Sequence, residues 1–339
     1  METAIIVALI ATAASLIASL WSFIALRLNQ RDIESLRFEL AQQLAERNAR
    51  RDYEYEARKR LYQEYEPLLF HLIEASENAS NQIKRIAAMS RNSELQPDSP
   101  TSKNYFLKAC IYHLLVPCAI FKLIKKRLTL VDLLVDQRIY TQYILAKTLY
   151  QSYADDFLLA SLYRPLEYSP YVEGWRELRK SKPQVFRRQG FPIGRLDNAL
   201  DSLILREEGK AEPVYTIVSF GQFEQELEKV AEEDYNSSLG VAKDMFLNFH
   251  PSTRPVLWRI LITQALIYRS ITDVSYQKCI EVNGSINRLI NVSEDEIKEF
   301  DWGCGGQEQE RKFNLEEPFH VAKQYLKLRV GPALKRRVI

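Results

Sequence analysis

The sequence predicts a mainly α-helical protein with a single N-terminal transmembrane helix, a long and partly coiled-coil helical stalk, and a helical cytoplasmic domain. Three observations predict this fold class. The chain begins with an uncharged apolar run, continues with a charged segment free of Gly and Pro, and then shows apolar residues at helical spacing. With 339 residues, of which 46% are hydrophobic and 27% charged, it is neither a disordered chain nor a polytopic membrane protein.

We expect three parts along the chain: an anchor over 1–28, a stalk over 29–66 and a cytoplasmic helical domain over 67–339. A sub-boundary is predicted near 165–192, because Pro and Gly are frequent there and the helical periodicity fades. The length agrees with such a division, since a domain usually has about 100–200 residues.

The predicted membrane span begins at Ala4 and ends at Leu26, and none of these 23 residues is charged. A helix rises about 1.5 Å per residue, so the segment is about 34 Å long and can cross a hydrocarbon core of about 30 Å. Trp21 lies near the end of the segment, where an aromatic side chain at the membrane interface is expected. We therefore predict a single-pass helix that stays in the lipid bilayer.

A cleaved secretory signal is the competing interpretation of the same run. Such a signal needs a basic N-terminal region, a shorter apolar core and a cleavage site between small residues. Here the chain begins Met1-Glu2-Thr3, without Lys or Arg, and the apolar run is too long. The run is also followed by a charged segment with helical composition, which favours an uncleaved anchor.

The charges that flank the run predict its orientation. Arg27, Arg31 and Arg37 follow it closely, whereas the N-terminal tail has no basic residue. Basic residues stay on the cytoplasmic side, so we expect the N-terminus outside and the C-terminal domain in the cytoplasm, at the plasma (inner) membrane. The four cysteines are scattered and form no C-x-x-C pair, in agreement with a reducing compartment.

Small side chains recur every three or four residues along the predicted span. These positions are Ala8, Ala11, Ser15, Ala18 and Ser22. A stripe of this kind lets two helix backbones approach closely in lipid, which predicts a homo-oligomer formed through the anchor and the stalk. The plainer interpretation is that Ala and Ser are common in membrane anchors.

The predicted stalk carries an apolar stripe of little more than one heptad. It consists of Ile33, Leu36, Leu40 and Leu44. A sustained coiled coil needs three or four apolar heptads, so we expect only a short coiled-coil seam. The alternative is a solvated single helix, stabilised by ion pairs between residues four positions apart.

Pro67 is predicted to end or kink the stalk, with a new helix from there to about Ser90. The segment 104–127 is apolar enough to resemble a second membrane span. However, Lys108 and Lys122 interrupt it, and each central charge costs about 2.5–3.5 kcal/mol on insertion. A buried core helix is therefore the expectation for this segment.

Local patterns predict further elements of the body. Thr129 is expected to cap a helix that continues to about Tyr163. The segment 194–205 is predicted to be a short amphipathic helix, and 214–218 is the one plausible strand, without an obvious partner. Two more helices are expected to begin after the capping serines Ser219 and Ser293.

No catalytic, metal-binding or cofactor-binding residue is predicted. The chain lacks G-x-x-x-x-G-K-[ST], G-x-G-x-x-G, G-x-S-x-G and H-E-x-x-H, which excludes common nucleotide-binding loops, the hydrolase elbow and the zinc-protease helix. The four histidines have no metal-type spacing with each other or with cysteine. A net charge of +2 disfavours a nucleic-acid surface, so the expected partners are the bilayer, a second copy and an unidentified cytoplasmic protein.

One loop carries residues that suit an anion. Arg187, Arg188 and Arg195 flank two glycines, and Asp197 follows at the start of the next predicted helix. Arginine side chains and a helix N-terminus can together hold a phosphate, so these four residues are the candidate ligand-binding site. The alternative is an ordinary loop in which Asp197 complements the helix dipole and Arg195 is exposed.

Asp155 and Asp156 are adjacent carboxylates near the predicted end of a long helix. Carboxylates can bind Mg²⁺, but neighbouring residues on a helix point about 100° apart. We therefore expect this pair to lie on a solvated helix edge.

Two functional hypotheses remain. The first is a non-enzymatic, membrane-tethered scaffold or sensor that associates with itself, because a predicted anchor is joined to a large helical body without a recognisable catalytic set. The second is a membrane-tethered enzyme or effector that acts on nucleotide or nucleic acid through the loop 187–198.

Overall fold

The computed structural model describes residues 2–92, 94–96, 104–207, 214–230, 237–276, 293–301 and 315–332. Of the residues that the structure describes, 79% are helical and 2% lie in strands, which confirms the mainly α-helical class and the long N-terminal helix. The α-helices are α1 (Glu2–Arg91), α2 (Tyr105–Arg127), α3 (Gln137–Ser152), α4 (Asp156–Ser161), α5 (Trp175–Ser181), α6 (Pro183–Arg187), α7 (Ile193–Asp201), α8 (Phe220–Glu228), α9 (Ser238–Phe246), α10 (Pro255–Tyr276), α11 (Glu294–Lys298) and α12 (Glu317–Arg329). The strands are β1 (Ile204–Glu207) and β2 (Val214–Ile217).

Backbone contacts divide the chain into two compact units, Met1–Arg60 and Leu61–Ile339. The division falls inside the predicted stalk, so residues 61–66 belong to the second unit. The proline- and glycine-rich segment 165–192 also belongs to the second unit, where it carries the short helices α5 and α6.

In the first unit, every residue from 5 to 53 is exposed. Its apolar run has the length and composition of a membrane span: one 18-residue window has a mean hydropathy of 2.1, and none of that window is buried. Signal sequences share this composition. The structure therefore shows an apolar helix that could cross a membrane.

α2 is a second helix that is long and apolar enough to cross a membrane, with a mean hydropathy of 1.7. In contrast to the first, 83% of its most apolar window is buried. Lys108, one of the charges that interrupt it, is buried too, and its Nζ lies 3.0 Å from Glu224 and 2.5 Å from Glu228 of α8. The predicted core helix is therefore confirmed.

Within the second unit, α1 buries one face in the core. The buried side chains of this stripe include Leu61, Tyr65, Leu69, Leu72, Ala79, Ile83 and Ile86. The sequence predicts that Pro67 ends or kinks the stalk. α1 passes through Pro67 without ending, so an end at this residue and a new helix beginning there are wrong. Proline in a helix interior costs about 3 kcal/mol, but buried side chains on both sides of it hold the helix against the core.

The predicted helix from Thr129 to Tyr163 is also wrong in its bounds. The Thr129 hydroxyl donates hydrogen bonds to two carbonyls in the last turn of α2, so it closes that helix instead of capping a new one. The N-cap of α3 is Asp136, whose carboxylate accepts from two backbone N–H groups. α3 ends at Ser152, and the separate helix α4 follows.

β1 and β2 pair in an antiparallel arrangement, with Ile204 opposite Ile217. The strand predicted within 214–218 is confirmed. Its partner β1 begins at Ile204, so the last two residues of the predicted helix 194–205 belong to a strand instead. α7 ends at Asp201, and pairing with β2 satisfies backbone groups that a longer helix would have used.

α10 packs against α3, α4 and α12 in the core of the second unit. Its Arg259 side chain is 2% exposed, forms an ion pair with buried Glu317 of α12, and donates to carbonyls in and after α4. The predicted caps Ser219 and Ser293 each form a capping box, before α8 and α11 respectively, so both predictions are confirmed.

Candidate functional site

A cavity of about 660 Å³ lies between α1, α2 and β2, inside the second unit. This volume falls in the range of about 300–1,000 Å³ that small-molecule sites occupy. All three walls belong to regular elements, so the cavity is part of the fold. We take it as the candidate functional site and call it the α1–α2–β2 cavity.

The first wall comes from α1, through Glu64, Leu68, His71 and Glu74. Their spacing of three or four residues places them on one face of the helix. α1 therefore uses one face for the core and a neighbouring face for the cavity.

The second wall comes from α2, through the buried apolar side chains of Val116, Ile120 and Leu123. The third wall is formed by β2 and the residues that follow it. The Tyr112 hydroxyl donates a hydrogen bond of 2.8 Å to the Val218 carbonyl, which fastens the end of the strand to α2.

Acidic and basic residues meet at this cavity. Glu64 of α1 and Arg127 of α2 form an ion pair at 3.2 Å, and each side chain is 41% exposed. Glu74 also lines the cavity and forms no ion pair with any described residue. Both carboxylates reach solvent, since the Glu64 side chain is 41% exposed and Glu74 is exposed as well.

His113 of α2 lines the same cavity. Burial lowers the pKa of its imidazole, and the nearby Arg85 guanidinium lowers it further. The ring is parallel to that of Phe220, with 6° between the two planes. His113 is therefore neutral at pH 7 and adds hydrogen-bonding capacity without a positive charge.

Two prolines inside helices change the backbone at this cavity. Pro67 has no N–H, so the Gln63 carbonyl lacks its usual partner in α1, and Pro117 has the same effect on the His113 carbonyl in α2. Gln63, Pro67 and His113 all line the cavity. Each proline thus removes one helical hydrogen bond from an element that forms a wall of the cavity.

A second cavity, of about 310 Å³, shares Leu123 and Tyr215 with the first. It is lined by three lysines, Lys122, Lys125 and Lys126. The Lys126 Nζ lies 3.5 Å from the centre of the Tyr215 ring, a cation–π contact. These lysines line the second cavity and do not line the first.

The four residues predicted as an anion site lie on α6, on α7 and between them. Arg188 forms an ion pair of 2.7 Å with Asp244 of α9, and Asp197 forms one of 3.3 Å with a lysine of α2. Arg187 is exposed and Arg195 is half-buried. Arg188 and Asp197 are therefore engaged in separate ion pairs with two different helices.

The centre of this loop is part of the core. The buried Gln189 donates through Nε2 to the Thr253 carbonyl at 3.2 Å, and its Oε1 accepts from the Val256 N–H at 3.1 Å. Gly190 packs against Asp156 so closely that a Cβ at this glycine would lie 2.4 Å from the Asp156 Cβ. Both residues therefore have structural roles that explain their presence in the loop.

Asp155 and Asp156 do not form a solvated helix edge, so that prediction is wrong. They lie where the chain passes from α3 to α4, so the single long helix predicted for this segment is interrupted here. Asp155 accepts a hydrogen bond of 2.7 Å from Tyr325 and pairs with Arg329 at 2.7 Å, both on α12. Burial, together with the neighbouring Asp155 charge, raises the pKa of Asp156 to about 6.

Among the described residues, no three His, Cys, Asp or Glu side chains come together where they could hold a metal ion. Cys110 and Cys118 are free and buried, and burial raises the pKa of both thiols. Cys279 and Cys304 lie outside the described residues.

No protein-family model, curated protein or solved structure matches this chain. We therefore infer function from the residues and their geometry. Sequence patterns missed the α1–α2–β2 cavity because its walls come from three distant segments, none of which contains a motif. The one local indication was a pair of prolines, Pro67 and Pro117, inside apolar helical patterns.

Proposed function

We propose that this protein is a membrane-anchored, self-associating sensor with its helical body in the cytoplasm. One observation carries the proposal: the apolar run of α1 has no buried residue in its most apolar window. Eleven Ile, Val, Leu and Phe side chains between Ala4 and Leu26 favour insertion by about −0.3 to −0.6 kcal/mol each. A bilayer would therefore remove from water the apolar surface that this helix exposes.

Flanking charge supports the proposed orientation. Arg27, Arg31 and Arg37 follow the apolar run, and no basic residue precedes it. The positive-inside rule then assigns the N-terminus to the outside and the body to the cytoplasm.

Self-association is supported by two exposed faces of the first unit. The small-residue stripe from Ala8 to Ser22 permits close helix packing in lipid. Beyond the apolar run, Ile33, Leu36, Leu40 and Leu44 are 50–57% exposed at a spacing of three or four residues. A second copy of the same helix would cover both stripes.

The α1–α2–β2 cavity favours a sensor over a passive scaffold. A scaffold needs only exposed surfaces, whereas this body contains a cavity of small-molecule size with polar groups among apolar walls. A ligand that binds there would contact α1, the helix that also forms the first unit.

Carbonate washing of membranes from expressing cells tests the anchor. We expect the full chain to stay in the membrane pellet, and a variant with Ile10→Arg and Leu16→Arg to move to the supernatant. Each central arginine costs about 2.5–3.5 kcal/mol, which removes the favourable insertion energy. A matched control, Arg31→Lys, should stay in the pellet. Release of the unaltered chain would contradict the proposal.

The alternative, a nucleotide or nucleic-acid effector using the loop 187–198, is less favoured, since Arg188 already pairs with Asp244 and Gln189 is buried in the core. It predicts that a nucleotide at 100 times its Kd stabilises the body by about 2.7 kcal/mol. The same hypothesis requires that Arg195→Ala abolish this stabilisation.

A further inference from the structure

We propose that α1 of the first unit pairs with one second copy of this chain, in parallel and in register, and that Asp32 of each copy forms an ion pair with Arg37 of the other. The contact surface is the apolar stripe of Ile33, Leu36, Leu40 and Leu44. The inference rests on the proposed self-association and deepens it by naming the direction, the register and the contacts of the pairing.

The apolar stripe offers a surface for another helix. Its side chains are 50–57% exposed and lie three or four residues apart, so they follow one side of α1. Ile33 occupies position a of a heptad and Leu36 position d, a combination that favours two-stranded parallel coiled coils. One second copy of the same helix would therefore bury the stripe.

The two flanks of the stripe differ in charge. The g positions are Asp32, Glu39 and Glu46, and the e positions are Gln30, Arg37 and Leu44. Asp32 and Arg37 are five residues apart in the sequence, which separates them by about 140° around the helix. Both are exposed, and neither forms an ion pair with any described residue. Each charge is therefore available to a partner chain.

These flanks distinguish the possible pairings. In a parallel, in-register pair, each g residue faces the e residue five positions further along the other chain, which brings Asp32 to Arg37 on both sides of the pair. A parallel pair shifted by one heptad would retain only one ion pair at Arg37. In an antiparallel pair, g residues face g residues, so the acidic flank of one copy would meet the acidic flank of the other. Charge therefore favours the parallel, in-register arrangement.

Asn29 and the proposed anchor favour the same arrangement. Asn29 lies four residues before Ile33, on the same side of α1. A polar side chain within such a contact favours the register in which its two copies face each other. Two chains inserted with the same orientation are already parallel, and confinement to one membrane raises their effective concentration. A stripe of little more than one heptad can therefore pair two anchored chains.

Cysteine cross-linking in membranes tests the contact surface. Leu36→Cys lies within the stripe, whereas Phe38→Cys, at a position that is 71% exposed, lies about 160° away around the helix. With copper phenanthroline as the oxidant, we expect Leu36→Cys to form disulfide-linked dimers at least about tenfold faster than Phe38→Cys, because its Cβ faces its own copy in the pair. The unaltered chain serves as the blank for the native cysteines.

Charge reversal tests the direction and the register, with Leu36→Cys present in every chain as the reporter. Asp32→Arg and Arg37→Asp should each lower the cross-linking rate by about fivefold or more, because two ion pairs become two like-charge contacts. The double variant, Asp32→Arg with Arg37→Asp, should restore the rate. When the two single variants are coexpressed with different tags, mixed dimers should exceed dimers of either variant alone, since both contacts between them are attractive.

Equal cross-linking of Leu36→Cys and Phe38→Cys would overturn the proposal, as would a charge effect that the double variant does not restore. Faster cross-linking with Asp32→Arg would indicate an antiparallel pair instead. Carbonate washing after cross-linking distinguishes this inference from the proposed anchor. A chain that is released but cross-linked through Leu36→Cys would contradict the anchor alone, and a retained chain that is not cross-linked would contradict the pairing.

Discussion

At the scale of single residues, burial sets the behaviour of the ionisable groups in the body. Asp156 is half-buried against Gly190, next to the Asp155 charge, and its pKa is raised to about 6 from an ordinary value of 3.8. The pKa of His113 is lowered by burial and by Arg85, which also favours the neutral form of the side chain. Both groups therefore spend part of the physiological pH range without charge.

The raised pKa of Asp156 predicts a pH-dependent stability. Its folded form holds a proton more tightly than its unfolded form, so its contribution is greatest below about pH 4 and is lost as pH rises through about 6. We expect Asp156→Asn, which cannot ionise, to gain about 2 kcal/mol of stability relative to the unaltered chain between pH 4.5 and pH 8, because about 1 kcal/mol of the total of about 3 kcal/mol is already present at pH 4.5.

Urea unfolding of both chains at the two pH values, followed by tryptophan fluorescence, measures this difference. Because the comparison is between two chains at each pH, contributions from other titrating groups cancel. A stability difference between the two chains that does not change with pH would show that folding does not raise the pKa of the Asp156 carboxyl.

The buried ion pair of Arg259 and Glu317 predicts that loss of the Arg259 charge strongly lowers the free energy of unfolding. Arg259→Met leaves the Glu317 charge buried without its partner, and it also leaves carbonyls around α4 without their donor. We expect a loss of about 3–5 kcal/mol in the free energy of unfolding. Lys298→Met, which breaks an exposed pair with Asp295, should change it by less than about 1 kcal/mol. Equal effects in the two variants would contradict the buried pair.

At the scale of elements, α1 shows that packing can override a local helix breaker. Its buried stripe continues on both sides of Pro67, so the helix persists where the sequence alone predicts an end. The helix retains one carbonyl, that of Gln63, without its usual donor.

We therefore expect Pro67→Ala to stabilise the body by up to about 3 kcal/mol, because it restores that hydrogen bond and removes the clash of the ring. Urea unfolding of the full chain in detergent measures the gain, with Ala41→Pro, at an exposed position of the first unit distant from Leu61 along α1, as a variant that should not change the stability of the body. A destabilised Pro67→Ala chain would mean that the proline ring contributes packing that the helix needs.

The small-residue stripe predicts a second effect at this scale. Ala11→Leu together with Ala18→Leu should prevent close approach of two anchors and shift the chain from oligomer to monomer in detergent. Ile10→Leu with Ile17→Leu, which adds no bulk, should leave the oligomer unchanged. Light scattering of the purified chains measures the mass, and an unaltered chain that is already monomeric would contradict self-association.

Much of the element pattern could be predicted from the sequence, because it depends on local chemistry. The capping boxes at Ser219 and Ser293 and the apolar spacing of α1 and α2 are properties of short segments. The end of α7, the pairing of β1 with β2 and the true cap of α3 depend on contacts between distant segments. The candidate site depends on such contacts most of all, since the lowered pKa of His113 and the pairing of Arg127 with Glu64 arise only after folding.

At the scale of the whole molecule, the first unit contains a helix suited to lipid, and the second unit is a folded body suited to water. The first unit exposes an apolar helix that could cross a membrane, and the second has a core of its own with a cavity of small-molecule size. Residues flanking the apolar run predict which side of the membrane the body occupies. The α1–α2–β2 cavity and the buried ion pair would then lie in the reducing cytoplasm, where the buried thiols of Cys110 and Cys118 stay reduced.

The most direct test of this division is protease accessibility in sealed cells that express the chain with a C-terminal epitope. We expect protease added outside to leave the epitope and the body intact, and the same protease to digest the body after the membrane is permeabilised. Digestion of the body in sealed cells would contradict the proposed orientation, and recovery of the intact chain in the soluble fraction would contradict the anchor.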